Sequence, residues 1–291
     1  MQRIAIIGAN GQLGRDLVMR LLGSAEVLPL TRRDADVRDL LAVRTALAPF
    51  RPDIVINTAA FHKVDLCEDD PWSATSVNVL GTHNVARVCR ELDAQLVYIS
   101  TDYVFSGQTD RPYREDDVAE PINVYGATKL AGERVALETW PRTLVVRTSG
   151  LFGAAGASGK GGNFVETMLR LGHERGKVRV VTDQVLSPTS TSDLAGMIAQ
   201  AVQTGVCGTL HLTNSDYCSW FEFARAIFEI AGVDAVVEPT TTAEFGARAR
   251  RPAFSVLGHE RLRTLGLPEP RPWRQALTDY LVVRRAAVVG D

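Results

Sequence analysis

Tyr125 and Lys129 stand four residues apart, which places a phenol and an amine on one face of a helix predicted to begin near Asn123. A free phenol, with a pKa of about 10, is a poor acid–base catalyst at neutral pH. We expect the neighbouring ammonium to favour the phenolate and to lower that pKa. The chain has only four lysines, so chance is a poor explanation of the pair. The spacing predicts proton transfer at a substrate oxygen, the alternative being a surface pair that supports the helix.

Thr101 lies in Ser-Thr-Asp-Tyr-Val-Phe, at the end of the fourth predicted strand, where open α/β sheets bind ligands. A hydroxyl there can donate a hydrogen bond to a substrate carbonyl and stabilise the charge that develops as hydride arrives. The alternative is a threonine that satisfies the strand end or caps a turn. Beside Tyr125 and Lys129 the catalytic interpretation is favoured, and we predict these three as the catalytic residues.

A glycine-rich segment, Gly-Ala-Asn-Gly-Gln-Leu-Gly, directly follows the first predicted strand and opens a helix. Glycines permit a tight turn and a close approach of the backbone to a pyrophosphate, and the helix start supplies unpaired N–H groups. A glycine-rich turn without a ligand is the alternative. The segment predicts a dinucleotide site at Gly8, Gly11, Gln12, Leu13 and Gly14.

The second predicted strand ends in Thr31-Arg32-Arg33, where NAD-specific folds often place an acidic residue. Guanidinium groups suit a 2′-phosphate. We therefore predict NADPH as the cofactor, with Arg32 beside the 2′-phosphate. NADH is the alternative, because Asp34 and Asp36 follow closely and solvated arginine pairs are common.

Short apolar runs alternate with amphipathic segments through the first half of the chain. The runs do not alternate with polar residues, which indicates strands buried on both faces of a parallel sheet. Helix-period segments separate them. The pattern predicts an α/β fold, a doubly wound, Rossmann-like parallel sheet, with strands at 3–8, 26–31, 53–57, 95–100 and 143–148 and helices at 11–23, 38–50, 71–93 and 122–139.

We predict a dinucleotide-binding domain over 1–150 and, over 151–291, a small substrate-binding lobe interleaved with the sheet, because no linker separates them. The glycine-rich stretch 150–162 is either a loop over the site or a surface connection. An aromatic stripe at Trp220, Phe221, Phe223 and Phe228 is expected in the core. Further elements are predicted near 163–175, 178–182, 191–204, 209–213 and 219–232.

Composition narrows the class of protein. The chain is 45% hydrophobic and 23% charged, as expected of a globular protein, and its formal net charge of -2 provides no basic field for nucleic acid. No apolar run approaches the length of a membrane span, and no signal peptide precedes the first strand, so a cytoplasmic location is expected. The histidines and cysteines show no ligand spacing, so no metal-ligating residues are predicted, and dependence on a divalent metal is left open.

These residues, with Asp183–Thr189, Gly162–Val165 and Pro272–Arg274, resemble dTDP-4-dehydrorhamnose reductases of the extended short-chain dehydrogenase/reductase superfamily. The likeness covers nearly the whole chain and is most specific at 100–105, 125–133 and 163–171. It implies NADPH-dependent reduction of the 4-keto group of a dTDP-4-dehydro-6-deoxy-L-sugar, such as dTDP-4-dehydro-L-rhamnose to dTDP-L-rhamnose. The implied partner is a nucleotide sugar, with a homodimer as a further expectation.

The resemblance also implies roles for individual residues. Tyr125 would be the proton donor, Lys129 would tune its pKa and contact the ribose, and Thr101 would contact the carbonyl. The cofactor pyrophosphate would be held by Gly11, Gln12 and Leu13. The adenine and ribose path would be lined by Asp36, Val37, Ala59, Ala60 and Phe61, and the substrate would be bound by Thr101, Asp102, Gly150 and Asn163.

The chain departs from the family pattern beside the expected sugar pocket. Gly150 stands where members usually have Trp, and Leu186 where Gly is common. Two other functions are weighed. A dehydratase or epimerase is disfavoured because Asp102-Tyr103 replaces the Asp-Glu typical of dehydratases. A non-catalytic NADP(H)-binding regulatory subunit, similar to the methionine adenosyltransferase β subunit, is disfavoured by the intact catalytic set.

Overall fold

The computed structural model describes residues 1–154 and 162–289, so most of the predicted loop 150–162 lies outside the described residues. In the first half of the chain, strands and helices alternate, and the bounds of the strands lie close to those predicted. The elements are β1 (Arg3–Ile7), α1 (Gln12–Leu21), β2 (Glu26–Leu30), α2 (Leu40–Leu47), β3 (Ile54–Asn57), α3 (Val64–Asp69), α4 (Pro71–Thr75), α5 (Thr82–Leu92), β4 (Gln95–Thr101), α6 (Val124–Thr139) and β5 (Thr143–Thr148).

Short strands are frequent in the second half. Its elements are β6 (Leu151–Phe152), α7 (Phe164–Arg175), β7 (Lys177–Val181), β8 (Val185–Leu186), β9 (Thr189–Ser190), α8 (Thr191–Gln203), β10 (Gly208–His211), β11 (Cys218–Ser219), α9 (Trp220–Ala231), β12 (Val236–Thr240), α10 (Thr242–Phe245), α11 (Glu260–Thr264) and α12 (Trp273–Val289).

Six strands form a central parallel sheet in the order β10-β5-β4-β3-β1-β2, which confirms the predicted doubly wound α/β fold. The strand order reverses between β1 and β3. A ligand crevice is expected at the carboxyl ends of strands beside such a reversal. β10 comes from the second half of the chain and pairs with β5.

Both faces of the sheet are buried, as the continuous apolar runs predicted. Ile4 and Ile6 of β1 pack in one cluster with α1 and α8, whereas Ala5 and Ile7 pack in another with α2 and α5. Burying each large aliphatic side chain stabilises the fold by about 1.5–3 kcal/mol. Because both faces are packed, the carboxyl ends of the strands are held in place by the core on either side of the sheet.

A third apolar cluster joins α7, α9 and α12 to the β7–β12 pair, with Phe223 and Leu277 fully buried. The division at residue 150 remains a prediction, since β10 and α8 of the second half belong to the sheet layers. Within 1–154 and 162–289, no helix has the length and apolar composition that crossing a membrane requires.

The predicted helix 71–93 is interrupted. Asp70 caps α4 by accepting a hydrogen bond from the Ser73 amide, and Pro71 occupies its first position. A π-helical turn, Ser76–Gly81, then joins α4 to α5. Such turns widen a helix locally and often occur at functional sites.

Candidate active site

A cleft of about 900 Å³ opens at the carboxyl ends of the sheet strands. All the predicted site residues except Gly14 line it. They are Gly8, Gly11, Gln12, Leu13, Arg32, Asp36, Val37, Ala59, Ala60, Phe61, Thr101, Asp102, Tyr125, Lys129, Gly150 and Asn163.

The glycine-rich turn leaves no room for side chains. Gly8 has a φ of +83°, and a Cβ there would lie 2.5 Å from Oγ1 of Thr58. A Cβ at Gly14 would collide with the Gly8 carbonyl oxygen, so this glycine allows close packing of helix on strand rather than lining the cleft. Gly11 precedes α1 without a capping side chain, and the first turn has no acidic residue. This cradle fits an anionic pyrophosphate.

Beside the end of β2, an ionised carboxylate is held by two arginines. Nη2 of Arg38 lies 2.6 Å and Nε of Arg32 lies 3.3 Å from Oδ2 of Asp36. The Arg38 hydrogen bonds lower the pKa of Asp36 far below its usual value. Arg32 lines the cleft and its side chain is 74% exposed, whereas Arg33 is outside the lining. The sequence did not single out Arg38.

Tyr125 is positioned by the start of α6. Asn123 caps this helix by accepting a hydrogen bond of 2.7 Å from the Gly126 amide, and Tyr125 falls in the first turn. Its ring meets that of Tyr103 edge to face, with 6.0 Å between the centroids. Burial raises the pKa of the phenol, and the adjacent Thr101 side chain partly counters this rise. The two predicted catalytic hydroxyls therefore meet at the cleft.

The prediction that Lys129 lowers the pKa of Tyr125 is wrong. Burial raises the pKa of Tyr125 above its usual value, and the Lys129 charge does not counter it. Nζ of Lys129 donates a 2.6 Å hydrogen bond to the Ile99 carbonyl and lies 4.0 Å from the centre of the Tyr98 ring. Because the amine is buried, its own pKa falls to about 7.

The Asp102 carboxylate lies beneath the cleft and is only 3% exposed. Its Oδ1 accepts a 3.0 Å hydrogen bond from Thr101, and its Oδ2 accepts hydrogen bonds from Ser149 at 2.8 Å and Ser255 at 2.6 Å. Desolvation raises the pKa of Asp102 to about 6. Asp102, which was expected to contact the sugar, is therefore a carboxylate that already accepts hydrogen bonds from three hydroxyls.

Asn78, in the π-helical turn, is a supporting residue that the sequence analysis missed. Its amide oxygen accepts from the Phe61 N–H at 2.9 Å, and its Nδ2 donates to the Phe61 carbonyl at 3.1 Å and to Thr128 at 3.0 Å. These bonds join the loop after β3 to α6, the helix that carries Tyr125 and Lys129. The signal in the sequence was a single polar residue, Asn78, within the short apolar run 77–80.

A buried ion pair supports α6 from the opposite side. Nη2 of Arg147 lies 2.7 Å from Oε2 of Glu133, and both side chains are at most 5% exposed. Oγ of Ser100 donates a further 2.5 Å hydrogen bond to Glu133. Removing one partner of such a pair is strongly destabilising, because a charge is left buried alone. The pair therefore fixes α6 against β4 and β5.

The second half of the chain contributes one wall of the cleft. Nδ2 of Asn163 donates to Oε1 of Gln12 at 2.9 Å and to the Gly153 carbonyl at 2.9 Å. Phe164 and Trp220 also line the cleft, their rings 4.4 Å apart. The aromatic stripe was expected in the core, but Trp220 is only partly buried and borders the site.

Gly150 and Leu186 contact each other. Gly150 lines the cleft with a φ of +54°, and a Cβ there would lie 2.7 Å from Cδ1 of Leu186. The Leu186 side chain is 3% exposed and fills the space that a side chain at 150 would enter. The two departures from the family pattern therefore lie side by side in the structure.

Fold and cleft together define an α/β protein of the Rossmann type, in which a glycine-rich turn and the side chains of Thr101, Tyr125 and Lys129 line one cleft. The family model described as RmlD substrate binding domain matches residues 1–285. The chain belongs to this family, which confirms the resemblance stated from the sequence motifs.

Two curated relatives illustrate the family. The chain is 44% identical over 293 residues to dTDP-4-dehydrorhamnose reductase of Mycolicibacterium smegmatis, covering 99% of this chain and 86% of that protein. It is 40% identical over 279 residues to dTDP-4-keto-6-deoxy-D-glucose reductase of Streptomyces niveus, covering 95% of each. The names of these relatives differ in the sugar on which they act.

The solved structures agree. The crystal structure of dTDP-4-dehydrorhamnose reductase from Bacillus anthracis in complex with NADP matches with a TM-score of 0.93 and 41% identity, covering 97% of this chain and 99% of that chain. UDP-glucose 4-epimerase of Thermus thermophilus in complex with NAD matches with a TM-score of 0.84 at 21% identity, over 98% of this chain and all of that chain, a likeness of fold alone.

Proposed function

We propose that the chain is an NADPH-dependent reductase of a dTDP-linked 4-keto-6-deoxy-L-sugar, converting dTDP-4-dehydro-L-rhamnose to dTDP-L-rhamnose. The observation that carries this proposal is the meeting of the Thr101 and Tyr125 hydroxyls in the cleft that the glycine-rich turn lines. The reductase names of the relatives support the reaction class, and the dTDP-linked sugars in those names support the substrate class.

Tyr125 is the proton donor in this proposal. Because burial raises the pKa of Tyr125, the phenol keeps its proton at neutral pH and holds it ready for a ketone oxygen that gains negative charge. The Thr101 side chain lines the cleft beside the Tyr125 phenol. Lys129 holds α6 to the end of β4 through the Ile99 carbonyl.

The cofactor is assigned to the other part of the cleft. Gly11, Gln12 and Leu13 would hold the pyrophosphate, Gln12 and Leu13 through their backbone N–H groups at the start of α1, because the Gly11 N–H is already donated to the Gly8 carbonyl. Arg32 would face the 2′-phosphate. When bound, NADPH supplies the hydride for carbonyl reduction. The ribose and adenine would lie along Asp36, Val37, Ala59, Ala60 and Phe61.

NADPH is preferred to NADH in this proposal because Arg38 already neutralises Asp36. The carboxylate that would otherwise repel a 2′-phosphate is bonded to two guanidinium groups, and Arg32 keeps most of its surface free. Asp102, Gly150 and Asn163 are assigned to the sugar side. A homodimer and a cytoplasmic location remain expectations from the sequence.

A substrate panel tests the proposal. The purified protein is mixed with NADPH or NADH and with dTDP-4-keto-6-deoxy sugars of both the L and the D series, and cofactor oxidation and product structure are followed. We expect NADPH oxidation and a 6-deoxy-L-hexose product. Water loss from dTDP-glucose would instead indicate a dehydratase. Cofactor binding without oxidation by any keto sugar would indicate the regulatory alternative.

A further inference from the structure

The Thr101 hydroxyl has one proton, and an ionised Asp102 carboxylate can only accept it in a hydrogen bond. Oγ1 donates to Oδ1 of Asp102 at 3.0 Å and accepts the backbone N–H of Tyr103 at 3.2 Å. In this arrangement Thr101 can accept a hydrogen bond in the cleft but has no proton to donate to a ketone.

The Asp102 carboxylate, which accepts this hydrogen bond, is held in place by two further side chains. Ser149 follows β5, and Ser255 lies in the segment after β12, so the hydroxyls bonded to Asp102 come from three separate parts of the chain. Ser149 is 1% exposed and Ser255 is 3% exposed. Asp102 cannot turn away from Thr101 without breaking two other hydrogen bonds.

The surroundings of Asp102 contain several ionisable groups. The phenols of Tyr103 and Tyr125 lie close enough that its charge raises their pKa values. Lys129 on α6, Arg147 on β5 and the Arg251 guanidinium near Tyr103 are cations on neighbouring elements. Among the described residues Lys129 bonds to a carbonyl, and Arg147 and Arg251 pair with Glu133 and Asp65, so none of the three pairs with Asp102.

We propose that Asp102 is a positioning residue whose protonation state decides whether Thr101 donates or accepts a hydrogen bond in the cleft. As a carboxylate, Asp102 accepts a hydrogen bond from the Thr101 hydroxyl. After gaining one proton from solvent, the carboxylic acid donates to Oγ1 of Thr101, and the Thr101 proton is then free to point at the substrate ketone. Tyr125 remains the proton donor in both states.

This inference rests on the proposed reductase function and predicts a pH dependence. Because desolvation raises the pKa of Asp102 to about 6, the fraction of donating Thr101 falls as the pH rises through that value. Under conditions where chemistry is rate-limiting, kcat for ketone reduction should then decrease by roughly tenfold to a plateau, the effect of losing one hydrogen bond to a charged centre.

Serine variants move this transition without touching Asp102 itself. The hydroxyls of Ser255 and Ser149 both lower the pKa of Asp102, Ser255 the more strongly. Ser255→Ala should shift the midpoint of the kcat profile to higher pH, and Ser149→Ala should shift it less. Ser24→Ala is the matched control, because Ser24 donates to the Leu21 carbonyl at the far end of α1.

Asp102→Asn removes the carboxyl group whose protonation the proposal invokes. The amide has the shape of the protonated acid, so its kcat profile should lose the transition near pH 6. If this variant fails to fold, the shifts of the kcat profile in Ser255→Ala and Ser149→Ala still test the proposal. A rise in KM with the wild-type kcat profile retained would mean that Asp102 only contacts the sugar, and the proposal would be wrong.

A direct titration separates this proposal from the proposed function. The 13C carboxyl resonance of Asp102 is followed with pH in the wild type and in Ser255→Ala, without substrate. Movement of the carboxyl midpoint in Ser255→Ala with an unmoved kcat profile would overturn the positioning role and leave the reductase assignment standing. Absence of turnover at every pH with every keto sugar would overturn the reductase assignment itself.

Discussion

The side-chain amide of Asn163 donates a 2.9 Å hydrogen bond to Oε1 of Gln12, so the first residue of α1 is held by the residue that caps α7. Gln12 belongs to the turn that we assign to the pyrophosphate. The geometry of this turn therefore depends on the second half of the chain, and the contact can be tested by substitution.

Asn163→Ser and Asn163→Ala should separate capping from this contact. Serine keeps the cap on α7, whereas alanine loses it and should lower the unfolding free energy by about 0.5–2 kcal/mol. Both lose the bond to Gln12 and should weaken NADPH binding by roughly 2- to 10-fold. Denaturant unfolding and fluorescence titration measure the two effects. Wild-type NADPH affinity in the serine variant would contradict the role of the contact.

Tyr125→Phe should lower turnover by roughly 10² to 10⁴, the contribution expected of a general acid, while NADPH affinity stays close to that of the wild type. Single-turnover rates measure the chemical step. Tyr217→Phe is the control, since this tyrosine is 54% exposed and lies outside the cleft lining. Wild-type single-turnover rates in Tyr125→Phe would remove Tyr125 from the mechanism.

Arg32→Ala should raise the Kd for NADPH by roughly 10- to 100-fold and leave the Kd for NADH nearly unchanged, because a hydrogen bond to a charged group is worth about 1.5–3 kcal/mol. The neighbouring Arg33→Ala is the matched control and should change neither value, since Arg33 does not line the cleft. Equal losses for both cofactors would show that Arg32 does not recognise the 2′-phosphate.

Lys129→Met should reveal a pH-dependent stability difference. Burial lowers the pKa of Lys129 to about 7, and an unfolded lysine titrates near about 10.4. Between these values the unfolded chain binds a proton that the folded chain lacks, so the wild type gains stability with rising pH, by about 1.4 kcal/mol per unit.

The measurement compares urea unfolding of wild type and Lys129→Met. The unfolding free energy of the wild type should rise relative to the variant by about 2–3 kcal/mol from about pH 7 to pH 9. Below the folded pKa both states are protonated, and the full penalty of burying the charge is present. Lys177→Met, at a side chain that is 67% exposed, is the control. A flat difference would show that Lys129 is not desolvated.

Gly150→Ala should destabilise the fold by about 1–3 kcal/mol, through its positive φ and through collision with Leu186. Gly176→Ala is a matched control, because its φ of +64° is similar but a Cβ there would meet nothing within 4 Å. Leu186→Ala should remove the collision, and a double-mutant cycle measures the coupling by urea unfolding. Additive losses would show that Leu186 does not restrict position 150.

The sheet was predictable because strands buried on both faces form apolar runs, as Ile4 to Ile7 illustrate. Two-residue strands such as β8 and β9 were not predicted, because they are too short to show a period. The helices α10 and α11 lie in a segment rich in proline and arginine whose composition favours turns. The final helix α12 was also missed.

Thr101, Tyr125 and Lys129 could be grouped from the sequence because they share a helix face or a strand end, and their catalytic role stays a prediction. The residues that surround it were not. Ser149 and Ser255 reach Asp102 from positions more than a hundred residues apart, and only the folded chain brings them together. The direction of the Tyr125 pKa was wrong for a similar reason, since burial outweighs the charge that the sequence placed nearby.

The origin of β10 affects how the protein is made. Until the nascent chain has extended past His211, β5 has no neighbour on its outer side, and the apolar face of the sheet that α8 covers is open. An uncovered strand edge of this kind invites pairing with other chains. A fragment that stops near residue 150 is therefore expected to aggregate during expression rather than to fold as an autonomous cofactor module.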